Sequence, residues 1–170
     1  GADDGYVFDN IDVVRDAKTG TSAVIGENSG GTATYSGAVK LSGDVSMNAA
    51  SSGDVTFSGV ISDTSGSNTV TKTGAGKVAL NGTNTFDGGV VVENGTLEVN
   101  NDAALGAGVL TINNTAGAAT FQIGTDGVNI SEDITVESIT GNPVTFGMDD
   151  RVAANAATGI ISGTLTLKEG

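Results

Sequence analysis

The chain has no cysteine, histidine or tryptophan, and among its 170 residues it has a single proline. Without thiol or imidazole side chains it has no zinc site of the usual kind and no Ser-His-Asp triad. Basic residues are scarce too, since 7 Lys and Arg stand against 20 Asp and Glu, a net charge of −13. Because Lys and Arg supply the affinity for phosphate groups and anionic lipid, we expect no nucleic-acid partner and no attraction to acidic membranes.

Long apolar runs are also missing. None approaches the ~20 residues that a membrane-spanning helix needs, so we expect no membrane insertion. The first residues, Gly1-Ala2-Asp3-Asp4, have neither a basic nor an apolar stretch, and no signal peptide is predicted. The chain stops directly after a strand-like stretch at Leu167, which we interpret as the end of a piece of a longer protein. The lack of cysteine fits a cytosolic protein or a bacterial exoprotein that crosses a membrane unfolded.

The residues that are abundant favour strands and corners. Val and Ile number 29 against 7 Leu, and there are 22 Thr, 14 Asn and 27 Gly. β-branched residues are typical of strands, and Gly and Asn are typical of tight corners. With only 4% aromatic residues, any core consists of small aliphatic side chains. An all-β chain with a thin core is therefore predicted.

Apolar side chains alternate with polar ones in short stretches that recur along the chain. Examples are Val39-Lys40-Leu41, Val55-Thr56-Phe57, Leu97-Glu98-Val99 and Leu110-Thr111-Ile112. Such alternation predicts strands of about 3 to 5 residues with one buried face. Apolar residues are predicted to point inward, and Thr, Lys, Glu and Asn outward.

The short strands also repeat at a longer interval. The stretch at 34–39 resembles that at 56–61, an offset of 22, and similar positions recur from Val99 to Ile123, from Ile123 to Phe146 and from Val136 to Ile160. A repeat of about 22–25 residues with three short strands is typical of a solenoid. The predicted fold is a parallel β-helix of about seven short coils.

One local pattern favours a different fold. Residues 90–99 contain Asn94-Gly95 between two apolar runs, the pattern of a β-hairpin in an antiparallel sandwich, and Asn81-Gly82 is a second such dipeptide. Asn and Gly are equally suited to corners between coils, and the long-range repeat favours the β-helix. Residues 1–170 are interpreted as a single domain, with 1–30 as an irregular first coil or cap that includes possible strands at 6–8 and 23–25. Residues 151–157 are the only candidate helix.

Residues 71–99 carry a recognisable motif. They read TKTGAGKVALNG at 71–82, NTFDG at 84–88 and GTLEV at 95–99, and the following ALGAGVLTI at 104–112 continues the pattern. This stretch resembles the passenger-associated repeat of bacterial autotransporters. Lys77, Ala79 and Asp87 stand where that family more often has Thr or a similar residue. The close match covers about 42 of the 170 residues, and the stretch at 56–62 resembles the usual upstream part of the repeat.

The resemblance implies a right-handed parallel β-helix that is exported to the surface of a Gram-negative bacterium. It implies a partner outside this chain, the protein's own C-terminal β-barrel translocator. The expected function is that of a rigid stalk that supports adhesion or effector display and aids outer-membrane translocation, without enzymatic activity. A host cell, matrix protein or glycan is a possible further partner.

The strongest hint of catalysis is Asp149-Asp150-Arg151, because pectin-degrading β-helix enzymes use clustered Asp residues near a basic group. Paired carboxylates can share acid and base roles. A carbohydrate-active enzyme or a phage tailspike-like polysaccharide binder is therefore the alternative function. With no His in the chain and a corner predicted there, we interpret the three residues as a solvated turn. The pair Asp3-Asp4 is a weaker candidate.

Binding motifs are weaker still. Asn100, Asn101 and Asp102 offer oxygen ligands for Ca²⁺ but form no known calcium loop. The glycines at 74–77 resemble part of a phosphate loop, yet Val78 follows Lys77 and a strand is expected there. Asparagines 81, 94, 113 and 129 occur in Asn-x-Ser/Thr triplets, to which we assign no role. No catalytic residue, metal or cofactor is predicted.

Overall fold

The computed structural model describes residues 6–8, 11–13, 22–137, 141–148 and 158–168. Within these residues the chain forms 19 strands and no helix. The strands are β1 Tyr6–Phe8, β2 Ile11–Val13, β3 Ala23–Glu27, β4 Thr32–Tyr35, β5 Val39–Leu41, β6 Val45–Ala49, β7 Asp54–Phe57, β8 Ile61–Asp63, β9 Val70–Thr73, β10 Lys77–Leu80, β11 Val90–Val92, β12 Gly95–Val99, β13 Leu110–Ile112, β14 Ala119–Ile123, β15 Asn129–Ile130, β16 Ile134–Val136, β17 Val144–Met148, β18 Ile160–Ile161 and β19 Leu165–Leu167.

These strands stack into three faces of a parallel β-solenoid. The first face is a seven-stranded sheet in the order β1-β4-β7-β10-β12-β14-β17. The second is a seven-stranded sheet in the order β3-β6-β9-β11-β13-β16-β19, and the third is split into β2-β5-β8 and β15-β18. Every strand pair is parallel. The predicted all-β parallel solenoid is confirmed.

About five turns, over 32–136, lie wholly within the described residues. The first and last coils are described in part, and they bring each long sheet to seven strands. The third face continues between β8 and β15 as irregular segments. There the Thr85 N–H donates to the Ile61 carbonyl, and the Ala107 N–H donates to the Phe86 carbonyl.

The hairpin alternative is wrong. Strand β11 pairs with β9 and β13, whereas β12 pairs with β10 and β14, so the two strands that flank Asn94 lie in different sheets. Gly95 has φ 73°, in the left-handed region that favours glycine. The Asn-Gly dipeptide therefore turns the chain from one face of the coil to the next. Gly82, in the second dipeptide, instead lies against the Gly59 carbonyl of the coil below.

The register agrees with the predicted repeat in the middle of the chain and departs from it near the end. Thr34 pairs with Thr56, and Val99 pairs with Ile123, as predicted. Ile123 pairs with Met148 rather than Phe146, and Val136 pairs with Leu167 rather than Ile160. The step from Val136 to Leu167 is longer than a repeat of 22–25 residues allows, because more residues separate β17 from β18 than separate β14 from β15 in the coil below.

The core is a narrow column of apolar side chains at alternate strand positions. In the first sheet Val55, Val78, Leu97 and Phe121 follow one another up the stack, and each is at most 1% exposed. The rings of Tyr35 and Phe57 stack in the next column with centroids 4.6 Å apart. Each coil therefore buries its apolar face mainly against the coils directly above and below it.

No helix among the described residues is long and apolar enough to span a membrane. The candidate helix at 151–157 lies outside the described residues, so the structure does not test it.

Candidate functional site

A lysine lies inside the solenoid, where the sequence analysis expected only apolar side chains. Lys72 is 1% exposed and occupies the inward column between Met47 below and Val92 above. Its Nζ donates to the carbonyl oxygens of Thr73 at 2.8 Å, Gly74 at 2.7 Å and Asn94 at 2.9 Å. We call Lys72 and these three carbonyl groups the lysine corner. The expectation that every Lys points outward is therefore wrong at this position.

The lysine corner joins two coils without a carboxylate partner. Thr73 and Gly74 follow β9, whereas Asn94 precedes β12 in the next coil. An ammonium group has three N–H donors, and here the three carbonyls use all of them. Burial lowers the pKa of Lys72 from its ordinary 10.5 to about 8. The side chain carries its charge at neutral pH and pays a desolvation cost for it.

A buried asparagine binds across three coils. Asn84 is 4% exposed, and its Oδ1 accepts from the Ile61 N–H at 2.8 Å. Its Nδ2 donates to the Ala104 carbonyl at 2.6 Å. Ile61 begins β8 in the coil below, and Ala104 lies in the coil above, in the part of the third face that has no regular strands. Asn84 therefore supplies the backbone hydrogen bonds that a strand would otherwise provide.

Polar side chains on the outward face of the first sheet form a ladder from coil to coil. Lys77 Nζ lies 3.3 Å from Asp54 Oδ2 in the coil below and 3.2 Å from Glu98 Oε2 in the coil above. Glu98 Oε2 also accepts from Gln122 Nε2 at 3.1 Å. Asn100 extends the ladder sideways, because its Nδ2 donates to Glu98 Oε1 at 3.0 Å. These contacts place the positive charge of Lys77 between the carboxylates of the two neighbouring coils.

Aspartates at the corners bind the backbone of the following coil. Each accepts a hydrogen bond of 2.6–2.9 Å from an N–H near the start of a strand or segment above it; the pairs are Asp44 with Thr69, Asp63 with Asp87, Asp102 with Asn129, Asp126 with Thr158 and Asp133 with Thr164. Bonds from the Thr158 N–H and hydroxyl hold the pKa of Asp126 below its ordinary value. Part of the acidic excess therefore has a structural use.

Two further ionisable groups lie at the start of the fully described part. Burial raises the pKa of the Glu27 carboxyl, but hydrogen bonds from the backbone N–H groups of Ser29, Gly31 and Gly30 outweigh it, and the pKa is lowered overall. Burial raises the pKa of the Tyr35 phenol, whose oxygen bonds to the Gly26 backbone at 2.9 and 3.1 Å. Glu27 thus holds the corner that follows β3, and Tyr35 ties β4 to β3.

The lysine corner, Asn84 and the middle of the polar ladder lie in one short part of the sequence. The passenger-associated-transport-repeat family model matches residues 70–99. Residues 70–99 are thus similar to this repeat. In this structure the repeat runs from β9 to β12 and includes Lys72, Lys77, Asn84 and Glu98. No curated protein and no solved structure gave a significant match to the chain.

The match confirms the resemblance seen in the sequence. Together with the parallel solenoid, the repeat fits a segment of an autotransporter passenger. The glycine-lysine stretch that resembles a phosphate loop lies within this repeat. Strand β10 begins at Lys77, so the helix that a phosphate loop precedes is not formed there.

The candidate catalytic residues and the candidate calcium ligands have different outcomes. Asp149, Asp150 and Arg151 lie outside the described residues, as do Asp3 and Asp4. Asn100, Asn101 and Asp102 are described, and each side chain bonds to a different protein group: Glu98, the Ala103 N–H and the Asn129 N–H respectively. Within the described ranges no three acidic side chains converge as metal ligands would.

Sequence reasoning missed Lys72, Asn84 and the corner aspartates. The signal for Lys72 was its position, two residues after the inward Val70 and two before the corner glycine Gly74. Asp44 precedes β6, and Asp133 precedes β16, so an Asp directly before a strand was a readable signal too. Asn84 lacked such a signal, because no alternating pattern surrounds it.

Proposed function

We propose that this chain is a structural segment of an autotransporter passenger, a stalk that holds other regions of the protein away from the cell surface. The observation that carries the proposal is that residues 70–99, the matched repeat, contain buried side chains that bond one coil of the solenoid to the next. The conspicuous side chains of this repeat bind neighbouring coils rather than converge on an open cleft.

Rigidity follows from the way in which the coils are joined. Two long sheets connect every coil to the next by parallel ladders, and the lysine corner, Asn84 and the aspartate corners add bonds between them. At ~4.8 Å per coil, seven coils give a rod of roughly 30–35 Å. A repeat fold can nucleate at one coil and grow to the next. We propose that such growth outside the outer membrane draws the remaining chain outward.

Export to the bacterial surface and a C-terminal β-barrel translocator as partner belong to the same proposal. We further propose that this segment has no catalytic role. In support, Asn100, Asn101 and Asp102, the residues considered as calcium ligands, are committed to hydrogen bonds within the fold. Adhesion to a host cell, matrix protein or glycan would then belong to regions that the stalk displays.

A display experiment tests this proposal. The chain is fused between an export signal and an autotransporter β-barrel in a Gram-negative host, and surface exposure is measured by protease digestion of intact cells. The wild-type segment is expected to reach the surface. Asn84→Ala leaves the Ile61 N–H and the Ala104 carbonyl unpaired, at about 1–3 kcal/mol for each group, and is expected to reduce display several-fold.

Asn81→Ala is the matched control. Asn81 lies three residues away on the exposed surface, where it accepts one hydrogen bond from Asn100, so display is expected to stay at the wild-type level. Equal display of all three proteins would contradict a link between folding and translocation. Turnover of pectin or host glycans that is lost in Asp149→Ala and Asp150→Ala would contradict the non-catalytic role.

A further inference from the structure

Two Asn-Gly-Thr triplets in inner coils have the same local sequence and different surroundings. They occupy residues 81–83 and 94–96. In an Asn-Gly pair the backbone nitrogen of Gly can attack the side-chain amide carbon of Asn, because Gly has no side chain to hinder the approach. The attack needs an Asn side chain that is free to turn and a Gly N–H that is not held elsewhere. The fold meets these conditions to different extents at the two triplets.

At the first triplet the Asn side chain lies in solvent. Asn81 is exposed, and its Oδ1 accepts a hydrogen bond of 2.8 Å from Asn100 Nδ2 on the surface, where water competes for both groups. Among the residues that the structure describes, the Gly82 N–H has no hydrogen-bond acceptor. Gly82 is buried against the Gly59 carbonyl, so the nitrogen stays in place while the side chain moves. Because β10 ends at Leu80, no bond of the strand ladder has to break first.

At the second triplet the same groups are held on several sides. The Gly95 N–H donates to the Ala118 carbonyl at 2.8 Å, and the Asn94 carbonyl accepts from Lys72 Nζ at 2.9 Å. The side-chain amide of Asn94 lies over Gly117 in the next coil, where a Cβ would be 2.5 Å from its Oδ1. Attack at this triplet therefore requires the start of β12 to open, and an inner coil opens rarely.

We propose that Asn81 is a site of spontaneous deamidation in the folded protein, and that the fold protects Asn94 from the same reaction. The Gly82 nitrogen gives its proton to a base from solvent and bonds to the Asn81 amide carbon. The carbon–nitrogen bond of that amide breaks, and ammonia leaves. Water then opens the resulting cyclic imide at either carbonyl, which yields aspartate or isoaspartate at this position. Water is the only co-reactant, and nothing is oxidised or reduced.

The modification changes the matched repeat in two ways. Either product places a new carboxylate beside the polar ladder, because Asn100 Nδ2 bridges Asn81 Oδ1 and Glu98 Oε1 at 2.8 and 3.0 Å. Isoaspartate also adds a methylene group to the main chain, between the Asn81 N–H, which donates to the Phe57 carbonyl, and the buried Gly82. Isoaspartate is therefore expected to loosen the corner after β10, whereas aspartate changes only the charge.

Peptide mapping of the aged protein tests the assignment. The folded wild-type chain is kept at mildly alkaline pH, samples are digested at mildly acidic pH, and mass spectrometry measures aspartate and isoaspartate at both triplets. Conversion at Asn81 is expected to be at least tenfold faster, roughly, than conversion at Asn94, because the bonds around Asn94 must open first. Equal rates, or faster conversion at Asn94, would overturn the proposal.

The unfolded chain is the matched control, since the two triplets share the sequence Asn-Gly-Thr. In concentrated guanidinium chloride both lose their surroundings, and their conversion rates are expected to become similar. A difference that persists in the unfolded chain would show that local sequence, rather than the fold, protects Asn94. A folded chain without product at Asn81, under conditions in which the unfolded chain converts fully, would contradict the proposal as well.

A stability measurement tests the consequence for the corner. The isoaspartyl form is separated from the aged protein by ion-exchange chromatography, and its urea midpoint is compared with those of fresh wild type and of Asn81→Asp. The isoaspartyl form is expected to unfold at a lower urea concentration. Asn81→Asp has the new charge without the longer main chain, so its midpoint is expected to stay close to that of the wild type. Equal midpoints for all three proteins would contradict the loosening of this corner.

Discussion

Lys72 shows how a charged side chain can serve as a structural part of an aliphatic core. Its aliphatic stem fills the column between Met47 and Val92, and its ammonium group satisfies three carbonyls that the turn leaves unpaired. A buried charge without a counter-ion is costly, but three unpaired carbonyls in the same place would be costly as well. The lysine thus allows a corner to close within a dry interior.

The lowered pKa of Lys72 predicts an unusual pH dependence of stability. Its folded pKa of about 8 lies below the ordinary 10.5, so between these values the unfolded chain binds the additional proton. The free energy of unfolding is therefore expected to rise from pH 8 toward pH 10, by at most about 1.4 kcal/mol per pH unit. Urea unfolding across this range measures it. Above pH 10 the raised pKa of Tyr35 acts in the opposite direction.

Lys72→Met is the control for this prediction. Met keeps a flexible apolar stem of similar size but has no titratable group. The free energy of unfolding of this variant is expected to stay flat between pH 8 and pH 10. Parallel pH profiles for the wild type and the variant would show that another group causes the rise.

At the scale of the strand and the corner, glycines set how closely successive coils approach. Gly37, Gly59 and Gly82 each follow a strand of the first sheet, and they lie over one another. A Cβ on Gly59 would lie 1.9 Å from the Gly37 carbonyl oxygen, and one on Gly82 would lie 2.2 Å from the Gly59 oxygen. Backbone rather than a flexible side chain occupies that space.

Gly59→Ala is therefore expected to force two coils apart. We expect a loss of about 1–3 kcal/mol in the free energy of unfolding, measured by urea denaturation. Gly147→Ala is the matched control, because Gly147 is also in the first sheet and a Cβ there would meet no atom within 4 Å. Its stability should stay within about 0.5 kcal/mol of the wild type. A similar loss in both variants would contradict the steric explanation.

At this scale the strands were predictable, and some corners were not. Period-2 alternation located strands such as β5, β7 and β13, because their inward residues are apolar. The lysine corner was missed because Lys72 occupies an inward position of the alternating pattern, although its side chain is charged and core positions are usually apolar. The register of the last coil was missed because the extra residues between β17 and β18 break the repeat on which the prediction relied.

For the whole molecule, the solenoid predicts a gradient of local stability. Inner coils are covered on both sides, whereas the last coil is covered on one, and its inward side chains are up to 70% exposed. Backbone amides of β17 and β19 are expected to exchange hydrogen fastest. Those of β10 and β12 are expected to exchange slowest. Hydrogen-exchange mass spectrometry measures this, and uniform protection along the stack would contradict it.

The architecture as a whole was predictable from the sequence because a repeat carries the same information several times. The functional interpretation depended on a motif of 30 matched residues, which the alternation alone could not have supplied. The exposure of Leu165 and Leu167 was not predictable, because they have the same alternating pattern as buried residues such as Ile134 and Val136 in the coil below. Only their place at the end of the stack distinguishes them.

The irregular part of the third face has an evolutionary consequence. Residues between β12 and β13 leave the regular strand path, yet β12 stays in register with β10 and β14, and β13 with β11 and β16. The chain can therefore be lengthened at this bend while the scaffold keeps its alignment. New recognition loops could be grafted there, much as antigen-binding loops vary on an unchanged immunoglobulin frame.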